Sequence, residues 1–110
     1  MTTTSDMRRI ALIMIIGLCD ALMENALSIH EAEHYLFSPR TMKIFEKDPE
    51  LMDLIHTATE FENLQSLVPT KLDSAIADVR RRALDALKTT PECDFQQDPW
   101  LYKLLPIVGE

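Results

Sequence analysis

Three times the chain places a serine or aspartate, whose side chains can cap a helix, directly before a proline: Ser38-Pro39, Asp48-Pro49 and Asp98-Pro99. A Ser or Asp oxygen accepts a backbone N–H of the first turn, and proline at the first helical position loses a donor that had no partner anyway. A fourth start, Ser28-Ile29-His30-Glu31, has the capping-box pattern, with Glu31 placed to reach back to the Ser28 N–H. Prolines that fall at starts and not in interiors leave room for helices and little else. Only two glycines are present, and tight strand turns need glycine at positive φ. The expected fold is all-α: a single compact domain, 1–110, of about five to six short helices packed around an apolar N-terminal helix.

The first helix is expected from about Met7 to about Ala26, after a frayed 1–5. It holds no polar side chain between Ile10 and Cys19, so it must be covered on most sides. Arg8 and Arg9 before this run, and Cys19 at its end, have the outline of a lipoprotein signal. Leu18 stands where processing wants a small residue, however, and the helical pattern continues through Leu22 and Leu27. Ten apolar residues are also too few to span a bilayer. The reading is a core helix with Cys19 as a buried free thiol in a reducing compartment.

Further helices are expected at Ile29–Phe37, at Pro39–Lys47 and from Pro49, where Leu51, Leu54, Ile55, Ala58 and Phe61 share a face. Leu64–Pro69 reads as a turn. Thr70-Lys71-Leu72-Asp73 resembles a capping box that opens a helix to about Lys88, with the stripe Leu72, Ile76, Val79, Ala83 and Leu87. Residues 89–97 read as irregular, and 98–110 as a short helix and tail. Asp98-Pro99-Trp100 resembles a short adaptor-binding motif. The apolar Leu101, Leu104 and Ile107 that follow favour packing on the body instead.

His30-Glu31-Ala32-Glu33-His34 satisfies the zinc-peptidase pattern, in which two histidines one turn apart hold a metal and the glutamate activates water. The context opposes it. Glu31 is used by the cap, the third ligand is missing, and no strand is present to hold a peptide. No catalytic residue, no cofactor and no metal site is assigned.

The net charge is −7. Phosphate backbones and anionic membranes attract Lys and Arg, so neither is an expected partner. Arg80-Arg81-Arg82 has acids at helical spacing and reads as a solvated face. From Asp48 to Pro69 there is no Lys or Arg. Glu46, Asp53, Glu60 and Glu62 are the expected contact residues for a basic protein partner. Tyr35, Phe95, Trp100 and Tyr102 are the alternative anchors.

The segments Ser28–Glu33, Leu36-Phe37-Ser38-Pro39-Arg40-Thr41, Leu51–His56 and Ser66–Pro69 resemble a family of small bacterial helical proteins of unknown function. The resemblance covers roughly Leu12 to Leu87. Small acidic helical chains also resemble immunity proteins of contact-dependent growth inhibition systems, which act in the cytoplasm. That resemblance implies binding to a basic toxin nuclease domain and its neutralisation by occlusion. The alternative from another class is a regulatory or scaffold protein that self-associates through its helices.

Overall fold

In the computed structural model, which describes residues 4–92, the helices are α1 (Thr4–Met23), α2 (Ile29–Tyr35), α3 (Pro39–Ile44), α4 (Pro49–Thr59), α5 (Phe61–Leu67) and α6 (Leu72–Lys88). A 3-10 turn, Pro69–Lys71, leads into α6. No strand occurs among the described residues, so the fold is all-α. The segments assigned to 1–3 and 93–110, including the expected helix at Pro99, lie outside the described residues.

Local chemistry sets three starts as expected. The Ser28 hydroxyl accepts from the Glu31 N–H at 3.0 Å. Ser38 accepts from the Thr41 N–H at 3.4 Å, and Asp48 from the Leu51 N–H at 3.2 Å. Two starts differ. Helix α5 begins directly after Glu60 with no side-chain cap, where a turn was expected from Leu64. The α4 axis breaks at a point where the Thr57 and Thr59 hydroxyls donate back to the carbonyls of Asp53 and His56, at 2.9 and 2.6 Å. Such back-bonding bends helices. Helix α6 starts at Leu72 behind the 3-10 turn, without a side-chain cap, so Thr70 does not open it.

Helix α1 stops at Met23, short of Ala26. The Ala26 N–H bonds to the Ala21 carbonyl at 2.8 Å and the Asn25 N–H to that of Leu22 at 3.1 Å, while Asn25 takes φ 58°. This is a Schellman ending, with asparagine in the left-handed position usually given to glycine.

Helices α1 and α6 pack antiparallel. Ala11, Leu12, Ile15, Cys19 and Leu22 of α1 are buried, as are Ile76, Val79, Ala83 and Ala86 of α6. Alanines on both sides let the axes approach. Leu51, Leu54, Ile55 and Ala58 of α4 complete the core. Phe37 and Phe61 meet edge to face in it, with centroids 5.8 Å apart. The Cys19 side chain is fully buried. Burial and the neighbouring Asp20 push its thiol up to about 12, despite the opposing field of Arg80. It is therefore inert at neutral pH.

Arg8 ties three elements together. Its Nη1 donates to both Asp48 oxygens at 2.6 and 2.5 Å, its Nη2 to Glu50, and its Nε to the Thr90 hydroxyl at 3.2 Å. Arg9 donates to the carbonyls of Thr90 and Leu87, at 2.6 and 3.3 Å. Leu87 is in the last turn of α6 and Thr90 lies just past its end, where a cation also complements the helix dipole. The two arginines that precede the apolar run are thus structural. At the other end of the α1–α6 pair, Arg80 donates to Asp20 at 2.5 Å.

Two stability measurements check this account. The Arg8 and Asp48 side chains are only 19% and 18% exposed, between the limits of an exposed pair and a fully buried one. Arg8→Ala should cost about 2 kcal/mol by urea titration, a value intermediate between those limits. Adding Asp48→Asn to that variant should cost little more, because the coupled partner is already gone. Asn25→Gly should be neutral or stabilising, whereas Asn25→Val should cost about 1–2 kcal/mol from the left-handed backbone. Equal midpoints for these two would contradict the helix ending.

A candidate acidic interface

The HEAEH stretch is a seven-residue helix with both histidines exposed. The His30 and His34 rings meet edge to face, centroids 4.5 Å apart, and His34 Nδ1 lies 3.0 Å from the His30 carbonyl oxygen. Among the described residues no group of three or more His, Cys, Asp or Glu is arranged to hold a metal ion. The capping box is half made. Glu31 gives its N–H to Ser28, but its carboxylate accepts the Tyr35 hydroxyl at 2.8 Å instead. That hydrogen bond to Glu31 holds the Tyr35 phenol above its usual range.

The four acids expected to make the partner face divide. Asp53 pairs with Arg82 of α6, and Arg82 also lies 3.7 Å from Asp78. Asp53 therefore helps to join α4 to α6, with its side chain still 60% exposed. Glu46 is exposed in the turn between α3 and α4. Glu60 and Glu62 come close to α2. Glu60 accepts from Asn63 Nδ2 at 2.9 Å. Glu62 lies near enough to Glu33 to act on its carboxyl. Glu33 and Glu62 are 29 positions apart, so no short-range spacing could have revealed the pair.

Burial, then the hydrogen bond and charge of Glu62, raise the Glu33 carboxyl above the usual range, against the opposing effect of His30 and His34. Glu33, but not Glu62, borders a recess of about 640 Å³ whose lining includes Glu33, His34, Phe37, Arg40, Glu60 and Asn63. Phe37 and Arg40 belong to the Leu36–Thr41 stretch, so that segment supplies both a core aromatic and an exposed cation at the rim.

Charge is thus divided by side. Asp20, Asp48, Glu50, Asp53, Asp78 and Asp85 each pair with Arg or Lys. Arg80 and Arg82 of the basic run are used in those pairs, which leaves Arg81 outward. On the α2–α5 side, Glu31, Glu33, Glu60 and Glu62 meet a phenol, an amide, histidine or one another.

Fold and site define a small all-α domain with an unbalanced acidic ridge. The chain belongs to the family described as "Protein of unknown function (DUF3969)", whose model matches residues 2–102. No curated protein and no solved structure matches it.

The carboxyl pair has a pH consequence. A group whose folded pKa is raised contributes stability that is present in acid and lost as pH rises through the carboxylate range. At neutral pH the Glu33 carboxylate therefore opposes folding. Glu33→Gln should raise the melting midpoint by ~1–2 °C at pH 7, from about 0.3 kcal/mol of like-charge relief. The gain should vanish in acid below the carboxylate range. A gain independent of pH would contradict the raised Glu33 carboxyl.

Proposed function

We propose that this chain is an acidic protein-binding module that neutralises a basic partner by covering its cationic site. The single observation that carries the reading is the ridge of α2 and α5. Among the described residues, Glu31, Glu33, Glu60 and Glu62 form no ion pair with Lys or Arg there, while Asp20, Asp48, Glu50 and Asp53 are paired within the fold. An uncompensated anionic surface accelerates encounter with a cationic one and orients it. Tyr35, 56% exposed beside this ridge, supplies the kind of aromatic anchor on which interface affinity concentrates. The partner that fits is the basic nuclease domain of a toxin, with the module acting in the cytoplasm as its immunity protein. The chain itself then performs no chemistry. Occlusion of the toxin site is sufficient.

The test uses the C-terminal domain of an exported toxin encoded beside this gene, with association followed by surface plasmon resonance at low and high salt. Reversal of Glu60 and Glu62 to Lys should slow association at low salt by about tenfold or more, with helix content unchanged by circular dichroism. Asp53 is left intact, because its reversal would set a lysine against Arg82. Tyr35→Ala should mainly speed dissociation. An unchanged rate and salt dependence in the double reversal, or a neighbouring toxin domain that does not bind, would overturn the reading.

A further inference from the structure

A second recess, of about 680 Å³, lies where the end of α1 meets the starts of α2 and α6, and Gln65 of α5 also lines it. Its deep part is apolar: Leu22, Ile29 and Ile76 are buried, and Leu27 and Leu72 are half-buried. Its rim is polar, with the exposed amides of Asn25 and Gln65 and the exposed acids Glu31 and Asp73. Among the described residues that line it, those two acids are the only charged ones. Glu31 meets the neutral Tyr35 hydroxyl, and Asp73 forms no ion pair among the described residues.

Electrostatics decide which head group suits this rim. A helix end carries about half a charge. The positive starts of α2 and α6 therefore offset only about one of the two carboxylates. The third helix end acts in the opposite sense. Helix α1 is 20 residues long, and its negative end reaches the recess, since Met23, Asn25 and Ala26 line it. No basic residue stands in its last turn, whereas Arg9 and Lys88 supply that charge at the end of α6. The recess is thus anionic at its mouth and apolar below.

We infer that this recess receives an arginine side chain of a basic protein partner. The methylene stem of such a side chain covers apolar surface while its head stays at a polar rim. A guanidinium brings five N–H donors to carboxylate and amide oxygens, and it is less strongly hydrated than an ammonium. Glu31 belongs both to the recess and to the ridge of α2 and α5, so the two surfaces adjoin. The source of the arginine rests on the binding role proposed above, whereas the chemistry of the recess does not.

The probe is the capped tripeptide acetyl-Ala-Arg-Ala-amide, with the citrulline peptide as its neutral isostere. Each is titrated into the isotope-labelled full chain and followed by amide chemical shifts. The arginine peptide should move the amides of Asn25, Leu27, Gln65 and Asp73 in a saturable way, and the citrulline peptide should bind several-fold more weakly. Asp73→Asn should weaken the arginine peptide several-fold, and Gln65→Glu should tighten it. Asp85→Asn, about 18 Å along α6 from Asp73, should leave it unchanged. Helix content by circular dichroism checks that each variant folds. Equal binding of the two peptides would overturn the inference, as would no binding, or shifts gathered at Glu60 and Glu62 instead of the recess. So would an affinity indifferent to both Asp73→Asn and Gln65→Glu. A toxin domain that fails to bind while the arginine peptide still selects the recess would remove the toxin and keep the arginine site. A toxin domain that binds equally well to the wild type, Asp73→Asn and Gln65→Glu would remove the site and keep the binding role.

Discussion

Arg8 is the point at which separate parts of the chain are fixed to one another. One guanidinium grips the cap of α4 through Asp48, reaches Glu50 in the same first turn and holds the Thr90 hydroxyl behind α6. Asp48 is at once the cap of its own helix and the anchor for α1. A planar, permanently charged fork suits such a node better than an ammonium, because several donors leave in fixed directions. Because the node joins the N-terminus of α4 to the C-terminus of α6, it also fixes how the apolar faces of α1, α4 and α6 meet.

The helices were legible where their starts are encoded locally. Ser28, Ser38 and Asp48 announce themselves by residue type and by the proline or glutamate that follows, and each cap forms. Helix α5 was not legible. It has no cap, and a smooth apolar face runs from Leu51 through Phe61 across the break at Glu60. The end of α1 was missed for a similar reason, since an asparagine in the left-handed region carries no strong signal of its own. The α6 stripe was legible in period, but burial centres on Ile76, Val79, Ala83 and Ala86, with Leu72 and Leu87 only half-buried.

The candidate site was legible in composition and not in pairing. A stretch without Lys or Arg was visible, but its acids have different fates. Asp53 finds Arg82 across the α4–α6 contact, whereas Glu62 finds another acid, Glu33. Both outcomes depend on contacts between distant positions. Net charge alone cannot separate carboxylates that hold helices together from those that face outward, and the two kinds respond oppositely to removal. Losing the first weakens the fold, while losing a member of the Glu33–Glu62 pair relieves it.

The antiparallel pairing of α1 with α6 also has a consequence for synthesis. The most apolar helix is made first, and the helix that covers its inner face is made last. The 48 residues from 24 to 71 separate them, which at 5–20 residues per second is roughly 2–10 s of translation. During that interval the stripe of Leu12, Ile15, Cys19 and Leu22 has no permanent partner. The nascent chain thus presents to the cell an oily helix with two arginines at its head, and only the last turn of α6 and the Thr90 that follows it bring the carbonyls that Arg9 will hold.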